Sequence, residues 1–213
     1  MHMTGTDTVA GVVLAAGRSA RMGRTKALLP VGGETFVQRV ARTLADAGAS
    51  PVLVVVAADT AAEIGRSIDC DARIVVNPRP DRGQLSSLQE GLSAVPESAK
   101  AVLITPVDLP LVRRATIELL LQTWRAREAS VVRPVRTGRH GHPVLVARGV
   151  IEALRAAGAD ATARTVMQAF AADTVDVPVE DEGAFVDIDT REEYLRVLDA
   201  LEGEKGKRGK REK

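Results

Sequence analysis

Short apolar stretches alternate along the chain with segments in which apolar residues recur every three or four positions. The apolar stretches have the length of strands, and several carry β-branched residues on both faces, as in VLVVV from Val52. Strands of this kind are typical of parallel sheets that are covered by helices on both sides. Seven strands are predicted on this pattern: Val9–Ala15, Pro51–Ala57, Arg73–Asn77, Ala101–Thr105, Ser130–Val135, Pro143–Val146 and Thr174–Pro178.

Helical periodicity fills most intervals between these strands. In the segment 35–48, apolar residues from Phe36 to Leu44 fall on one face, and Gly48 can end the helix. Further helical patterns cover residues 84–95, 113–127, 150–157, 163–171 and 191–201. Strands that alternate with helices predict an α/β fold, a three-layer, Rossmann-like arrangement of a mostly parallel sheet flanked by helices.

Composition and charge limit the class of protein. With 213 residues and 45% hydrophobic content, the chain can bury one full core, so we expect a single domain over residues 9–201. Residues 1–8 and the charged segment 202–213 are expected to be disordered. A net charge of +1 and the lack of a long apolar run argue against a membrane or a specific nucleic acid as partner. The single cysteine, Cys70, excludes an internal disulfide and favours a cytoplasmic protein.

The loop after the first predicted strand carries the most specific motif, LAAGRSARMGRTKALLP from Leu14. Gly17 allows a ligand to approach the backbone, whose N–H groups can surround an anion. Four cationic side chains follow within the next nine positions: Arg18, Arg21, Arg24 and Lys26. The glycine spacing matches neither the Walker A motif nor the dinucleotide fingerprint GxGxxG. A basic surface turn capped by Ser19 is the alternative.

This loop resembles the signature of the MobA-like nucleotidyltransferases, whose pattern LAxGxSxRMGxxK is followed by a short Leu-Pro segment. The matching residues are Leu14, Ala15, Gly17, Ser19, Arg21, Met22, Gly23 and Lys26. The resemblance implies a nucleotide-diphospho-sugar transferase-like fold and a loop that binds a nucleoside triphosphate. It makes Arg21 and Lys26 candidate catalytic residues on the phosphates. The nucleotide-binding candidates in this loop are Leu14, Ala15, Ala16, Gly17, Arg18 and Ser19.

Nucleotidyl transfer needs carboxylates that can hold a divalent metal ion. Asp108 follows a predicted strand in VLITPVDLPLV, and Asp187 and Asp189 alternate around Ile188, so that they point the same way in an extended segment. The resemblance implies that Asp108 acts in catalysis and binds Mg²⁺ with Asp189, with Asp187 as a further candidate ligand.

Helix capping is the alternative role of these carboxylates. Asp108 could cap a following helix. Near the chain's end, Thr190 and Glu193 have the spacing of a capping box. This box is compatible with a metal role for Asp189, because Thr190 can cap the helix while Asp189 faces the site.

Two further segments offer ligand contacts. In NPRPDRGQLSSLQEGL, the candidates for the nucleobase or ribose are Asn77, Gly83, Ser86 and Ser87, with a polar loop as the alternative. In RTGRHGHPVLV, the resemblance assigns Gly141, His142 and Pro143 to the acceptor side of the cleft. Nearby cationic residues that would suit a phosphorylated acceptor are Arg133, Arg136 and Arg139. The pair of His140 and His142 lacks a third ligand for a transition metal.

The resemblance implies that a nucleotidyl group is transferred to a molybdopterin-type acceptor with release of pyrophosphate. Family members that use CTP tend to carry LAAG and those that use GTP LAGG, so Ala16 favours CTP here. A molybdoenzyme or its chaperone is the implied protein partner. Three alternatives stay open: a guanylyltransferase that uses GTP, an NAD(P)-linked oxidoreductase of nicotine-derived pigments, and a non-catalytic nucleotide-binding adaptor.

Overall fold

The computed structural model describes residues 8–17 and 25–208, with side chains of the last helix described as far as Leu201. The strands are β1 (Val9–Leu14), β2 (Pro30–Val31), β3 (Glu34–Thr35), β4 (Val52–Ala57), β5 (Ala72–Asn77), β6 (Ala101–Pro106), β7 (Val131–Arg136), β8 (Arg139–His140), β9 (Val144–Ala147) and β10 (Thr174–Pro178). The helices are α1 (Phe36–Asp46), α2 (Ala61–Ser67), α3 (Gln84–Ser93), α4 (Arg114–Arg127), α5 (Arg148–Ala156), α6 (Ala163–Gln168) and α7 (Arg191–Arg208).

One large sheet organises the described residues, in the order β10-β7-β9-β6-β1-β4-β5, with β8 paired to β7. The strands β6, β1, β4 and β5 run parallel to one another, and β10 runs parallel to β7. Strand β9 is antiparallel to both β6 and β7. The predicted mostly parallel α/β fold is therefore confirmed.

Two apolar layers hold the helices against the sheet. On one face, the buried residues Phe36 and Leu44 of α1 and Leu120 of α4 belong to one core cluster. On the other face, α3 and α5 contribute Leu88 and Ile151 to a second cluster. This sandwich of helices around a sheet explains why the sheet strands are apolar on both faces.

Helix α3 approaches the sheet closely at Gly91. A Cβ at this position would lie 2.8 Å from side-chain atoms of both Val12 and Val55. Glycine therefore allows the helix to lie directly on β1 and β4, with its N-terminus near the ends of these strands.

All seven predicted strands are present, with ends shifted by a residue or less. The two-residue strands β2, β3 and β8 and the short helix α2 had no counterpart in the sequence pattern. Helix α7 continues to Arg208, beyond the predicted end at Leu201 and into the segment assigned to the charged tail. The domain limits stay a prediction. None of the helices within the described ranges is both long and apolar enough to cross a membrane.

Candidate active site

A cleft of about 340 Å³ lies where β1 and β6 end, at the carboxyl edge of the parallel sheet. Ligands of open α/β sheets bind at this edge. The residues that line the cleft are Leu14, Ala15, Ala16, Gly17, Lys26, Ala27, Pro80, Gly83, Gln84, Ser87, Pro106, Val107 and Asp108. Loops that are far apart in the sequence thus form one concave surface.

Many of the sequence-predicted residues line this cleft. They are Leu14, Ala15, Ala16, Gly17, Lys26, Gly83, Ser87 and Asp108. Sequence reasoning missed Gln84, which lines the cleft as the first residue of α3; its position before the serine pair was the signal available. The predicted residues Arg18, Ser19 and Arg21 lie outside the described residues.

Lys26 connects the motif loop to the carboxylates. Its Nζ donates a hydrogen bond to Oδ1 of Asp189 and lies 3.9 Å from Oδ2 of Asp108. The Lys26 side chain is 16% exposed, whereas that of Asp189 is 48% exposed. Three predicted residues from distant parts of the sequence therefore meet at one end of the cleft.

Asp108 is an unusually buried carboxylate. Its side chain is 25% exposed, and its Oδ1 is buried without a hydrogen-bond partner among the described residues. Burial raises the pKa of Asp108 from 3.8 to about 6; the nearby Asp187 charge adds to the increase, and Lys26 opposes it. The ionised form of Asp108 is therefore poorly compensated in the protein alone.

The segment with Asp187 and Asp189 is anchored by the residue between them. Ile188 is fully buried, and its backbone N–H donates to the carbonyl oxygen of Asp108 at 3.0 Å. Burial also raises the pKa of Asp187, and the Asp189 charge adds to this effect. The backbone thus ties both candidate metal-binding segments together.

The predicted capping box begins helix α7. The Glu193 carboxylate accepts hydrogen bonds from the backbone N–H of Asp189 and of Thr190, at 2.9 and 2.8 Å. The Thr190 hydroxyl accepts one from the N–H of Glu193 at 3.2 Å. Because the box includes the Asp189 backbone, the cap also fixes the backbone from which this carboxylate projects.

Asn77 holds together the segment that leads into helix α3 at the cleft. It is fully buried, and its amide nitrogen donates to the hydroxyls of Ser86 and Ser87 at 3.3 and 3.0 Å. Its amide oxygen accepts from the Arg79 N–H at 2.8 Å. Asn77 and Ser86 therefore hold the loop before α3, and of the two serines only Ser87 lines the cleft.

The Gly141-His142-Pro143 segment is packed rather than open. A Cβ on Gly141 would lie 2.3 Å from the Ala184 carbonyl oxygen, which also accepts a hydrogen bond from the His142 N–H at 2.8 Å. The His142 Nδ1 donates to the Ile104 carbonyl oxygen at 3.5 Å, and burial lowers the pKa of His142, so the ring is neutral near pH 7. Pro143 is buried next to Leu109, outside the cleft.

The arginines near this segment have protein partners. Arg133 donates to Asp176 at 2.6 Å, and Arg136 donates to Glu182 at 2.9 Å. Arg139 donates to the Phe185 carbonyl oxygen at 3.2 Å. An acceptor would therefore have to compete with these contacts for their charge.

A divalent cation fits the carboxylates if the nucleotide completes its coordination. In the part of the chain that the structure describes, no group of three or more His, Cys, Asp or Glu side chains could hold a metal ion. The unpartnered buried oxygen of Asp108 is a ligand of the kind that Mg²⁺ prefers, and Mg²⁺ commonly uses one or two carboxylates with phosphate oxygens and water.

Comparison with known proteins identifies a family whose domain covers most of the chain. Residues 11–176 match the family described as the MobA-like NTP transferase domain. Nicotine blue oxidoreductase of Paenarthrobacter nicotinovorans is 34% identical over 93% of this chain and all of that protein. A probable molybdenum cofactor guanylyltransferase of Opitutus terrae is 36% identical over 60% of this chain and 61% of that protein.

Several further relatives carry the guanylyltransferase name, whereas a molybdenum cofactor cytidylyltransferase of Escherichia coli is 23% identical over 86% of this chain and 92% of that protein. Among solved structures, Rv0371c of Mycobacterium tuberculosis superposes with a TM-score of 0.76 at 26% identity, over 92% of this chain and all of that one. Another structure of Rv0371c is a complex with manganese.

Proposed function

The chain belongs to the MobA-like NTP transferase family and is a nucleotidyltransferase, and we propose that it transfers GMP from GTP to a phosphorylated acceptor of the molybdopterin type, with release of pyrophosphate. The observation that carries this proposal is the meeting of Lys26, Asp108 and Asp189 at one end of a cleft lined by residues 14–17. This arrangement provides a cation for phosphates beside carboxylates for a metal ion.

The reaction would be an in-line displacement at the α-phosphorus of the nucleotide. An oxygen of the acceptor phosphate forms the new P–O bond, and the bond from the α-phosphorus to the bridging oxygen breaks, so that pyrophosphate leaves with the electron pair. The acceptor needs no general base, because a phosphate monoester is already an anion near neutral pH. Lys26 would neutralise charge at the α-phosphate, and we expect Arg21 to act on the same phosphates.

The backbone at Gly17 and the side chain of Ser87 would orient the nucleotide within the cleft. Asp108 and Asp189 would hold Mg²⁺, which stabilises charge on the phosphates when it is bound. Lys26 pairs with Asp189 in the protein alone, so it would have to turn toward the phosphates as the nucleotide enters.

We favour GTP over CTP as the substrate because guanylyltransferase is the commoner name among the relatives described above. This reverses the order expected from LAAG in the sequence. CTP stays the second candidate because Ala16 lines the cleft at the position where family members that use GTP tend to carry glycine. An Ala16→Gly variant tests this directly: if Ala16 selects the smaller base, it will raise the rate with GTP relative to CTP.

A second class of function is favoured by one observation, the full-length likeness to nicotine blue oxidoreductase. It predicts consumption of NADH or NADPH without nucleotide transfer. A non-catalytic adaptor would instead bind nucleotide with no turnover. The oxidoreductase function does not explain why Lys26 and two carboxylates meet at the cleft, and turnover separates the adaptor from the transferase.

The test is to incubate the protein with Mg²⁺ and either GTP or CTP, with and without molybdopterin, and to measure pyrophosphate and the dinucleotide product. We expect pyrophosphate release that requires the acceptor and is faster with GTP. Faster release with CTP would move the assignment to the cytidylyl reaction. Oxidation of NADH or NADPH by a pigment acceptor, without pyrophosphate release from either nucleotide, would refute the transferase assignment.

A further inference from the structure

The turn that carries Asp108 is held at three backbone positions. The Val107 N–H donates to the Leu14 carbonyl oxygen at 3.1 Å, and the Ile188 N–H donates to the Asp108 carbonyl oxygen at 3.0 Å. The third contact comes from a side chain: Nε of Arg39, on helix α1, donates to the Pro110 carbonyl oxygen at 2.8 Å.

Arg39 is itself oriented by a carboxylate. Its Nη1 lies 3.7 Å from Oε2 of Glu34, whose side chain is only 12% exposed. The planar guanidinium group can therefore contact Glu34 and the Pro110 carbonyl oxygen at the same time, through two different nitrogens. A lysine has one nitrogen on a flexible stem and cannot reproduce this fork.

The geometry points to Arg39 as a positioning residue for the metal site: through the Pro110 carbonyl oxygen, it holds the turn that aims Asp108 into the cleft. This inference rests on the proposed function, in which Asp108 binds the metal ion of a nucleotide complex. Arg39 is not among the residues that line the cleft, so its effect must pass through the turn. Groups that orient metal ligands typically change metal affinity 10- to 100-fold when they are removed.

Arg42 provides a matched control on the same helix. It pairs with Oε1 of the same Glu34, and among the described residues it makes no hydrogen bond or ion pair with the Asp108 turn. Arg39→Met and Arg42→Met each remove one guanidinium from Glu34. Only the first removes the hydrogen bond to Pro110, so the comparison isolates this contact.

The experiment measures Mn²⁺ binding by the full chain in the presence of GTP, from the loss of the electron paramagnetic resonance signal of free Mn²⁺ relative to the same GTP and Mn²⁺ without protein, because the triphosphate itself binds the metal ion. We expect roughly tenfold weaker binding for Arg39→Met, unchanged binding for Arg42→Met, and an intermediate value for Arg39→Lys. Thermal unfolding identifies variants that fail to fold. If Arg39→Met does not fold, Arg39→Lys takes its place in the comparison with Arg42→Met.

Equal Mn²⁺ affinity of wild type and the Arg39 variants would overturn the inference, as would an equal loss in Arg42→Met. A wild-type protein that binds Mn²⁺ with GTP but transfers no nucleotide would refute the proposed function, while the comparison of variants would still decide the role of Arg39. A wild-type protein that binds no Mn²⁺ with GTP or CTP would overturn both.

Discussion

Replacing Asp108 by asparagine should make the protein more stable and much less active. The carboxylate is largely buried and lies near Asp187 and Asp189, and these surroundings raise its pKa from 3.8 to about 6. Asparagine keeps the shape of the side chain but cannot ionise. The substitution therefore removes both an unfavourable buried charge and, on the proposed function, a metal ligand.

The size of the stability change follows from the pKa difference. The folded state binds the Asp108 proton more tightly than the unfolded state does, so ionisation lowers the free energy of unfolding as pH rises through the interval from about 4 to about 6. A pKa difference of about two corresponds to about 3 kcal/mol, which is fully expressed well above pH 6. The free energy of unfolding of Asp108→Asn should therefore exceed that of the wild type by about 3 kcal/mol at pH 8 and by roughly half of that at pH 5.

Urea unfolding without metal or nucleotide, at pH 8 and pH 5, measures this difference. Transfer activity, measured with Mg²⁺ and acceptor, should fall at least about 100-fold, as when a principal electrostatic stabiliser is removed. Asp160→Asn is the control, because Asp160 is exposed and lies between α5 and α6, and neither property should change. A variant no more stable than wild type at pH 8, or a gain independent of pH, would refute the electrostatic reasoning; unchanged activity would refute the metal assignment.

Asn77→Ala removes the buried amide that bonds both serine hydroxyls and the Arg79 backbone N–H, and should cost about 1–3 kcal/mol in urea unfolding and weaken nucleotide binding in a thermal-shift titration. Wild-type nucleotide affinity would show that the loop before α3 does not need this support. Thr190→Ala removes the N-cap of α7 and should cost about 0.5–2 kcal/mol by the same unfolding assay; no loss would mean that the cap contributes nothing in solution. Gly141→Ala places a Cβ 2.3 Å from a backbone oxygen and should cost at least about 1–3 kcal/mol, whereas Gly149→Ala, with no atom within 4 Å of the added Cβ, should be neutral or slightly stabilising. Similar stabilities of the two glycine variants would contradict the close packing at Gly141.

The central sheet could be predicted because its strands are buried on both faces. A run such as residues 52–56 has no polar face to confuse with a helix, and its β-branched residues favour an extended chain. The strands β2, β3 and β8 were missed because two residues carry no periodicity, and their pairing depends on neighbouring turns.

The cleft could be predicted because the carboxyl ends of parallel strands meet at one edge of the sheet. Gly17 and Asp108 each follow such a strand, and both line the cleft. Which motif residues line the cleft and which serve only the fold could not be predicted. Asn77 and Gly141 stand in polar, ligand-like sequence contexts, yet the first is used in hydrogen bonds within its loop and the second in close packing against another segment.

There is a physical reason why the cleft could be predicted and the roles of the individual motif residues could not. A motif specifies which functional groups are available, whereas their positions depend on partners that the motif does not contain. The carboxylate of Asp108 belongs to its motif, but the donors that hold its turn, Arg39 and the backbone of Ile188, lie about 70 and 80 residues away in opposite directions along the chain. We expect a substitution at such a donor to leave every motif residue in place and still change where the carboxylate points. Activity in this family should therefore depend on residues outside the motifs, and comparison of Arg39 with Arg42 tests that dependence on two side chains that share one carboxylate partner.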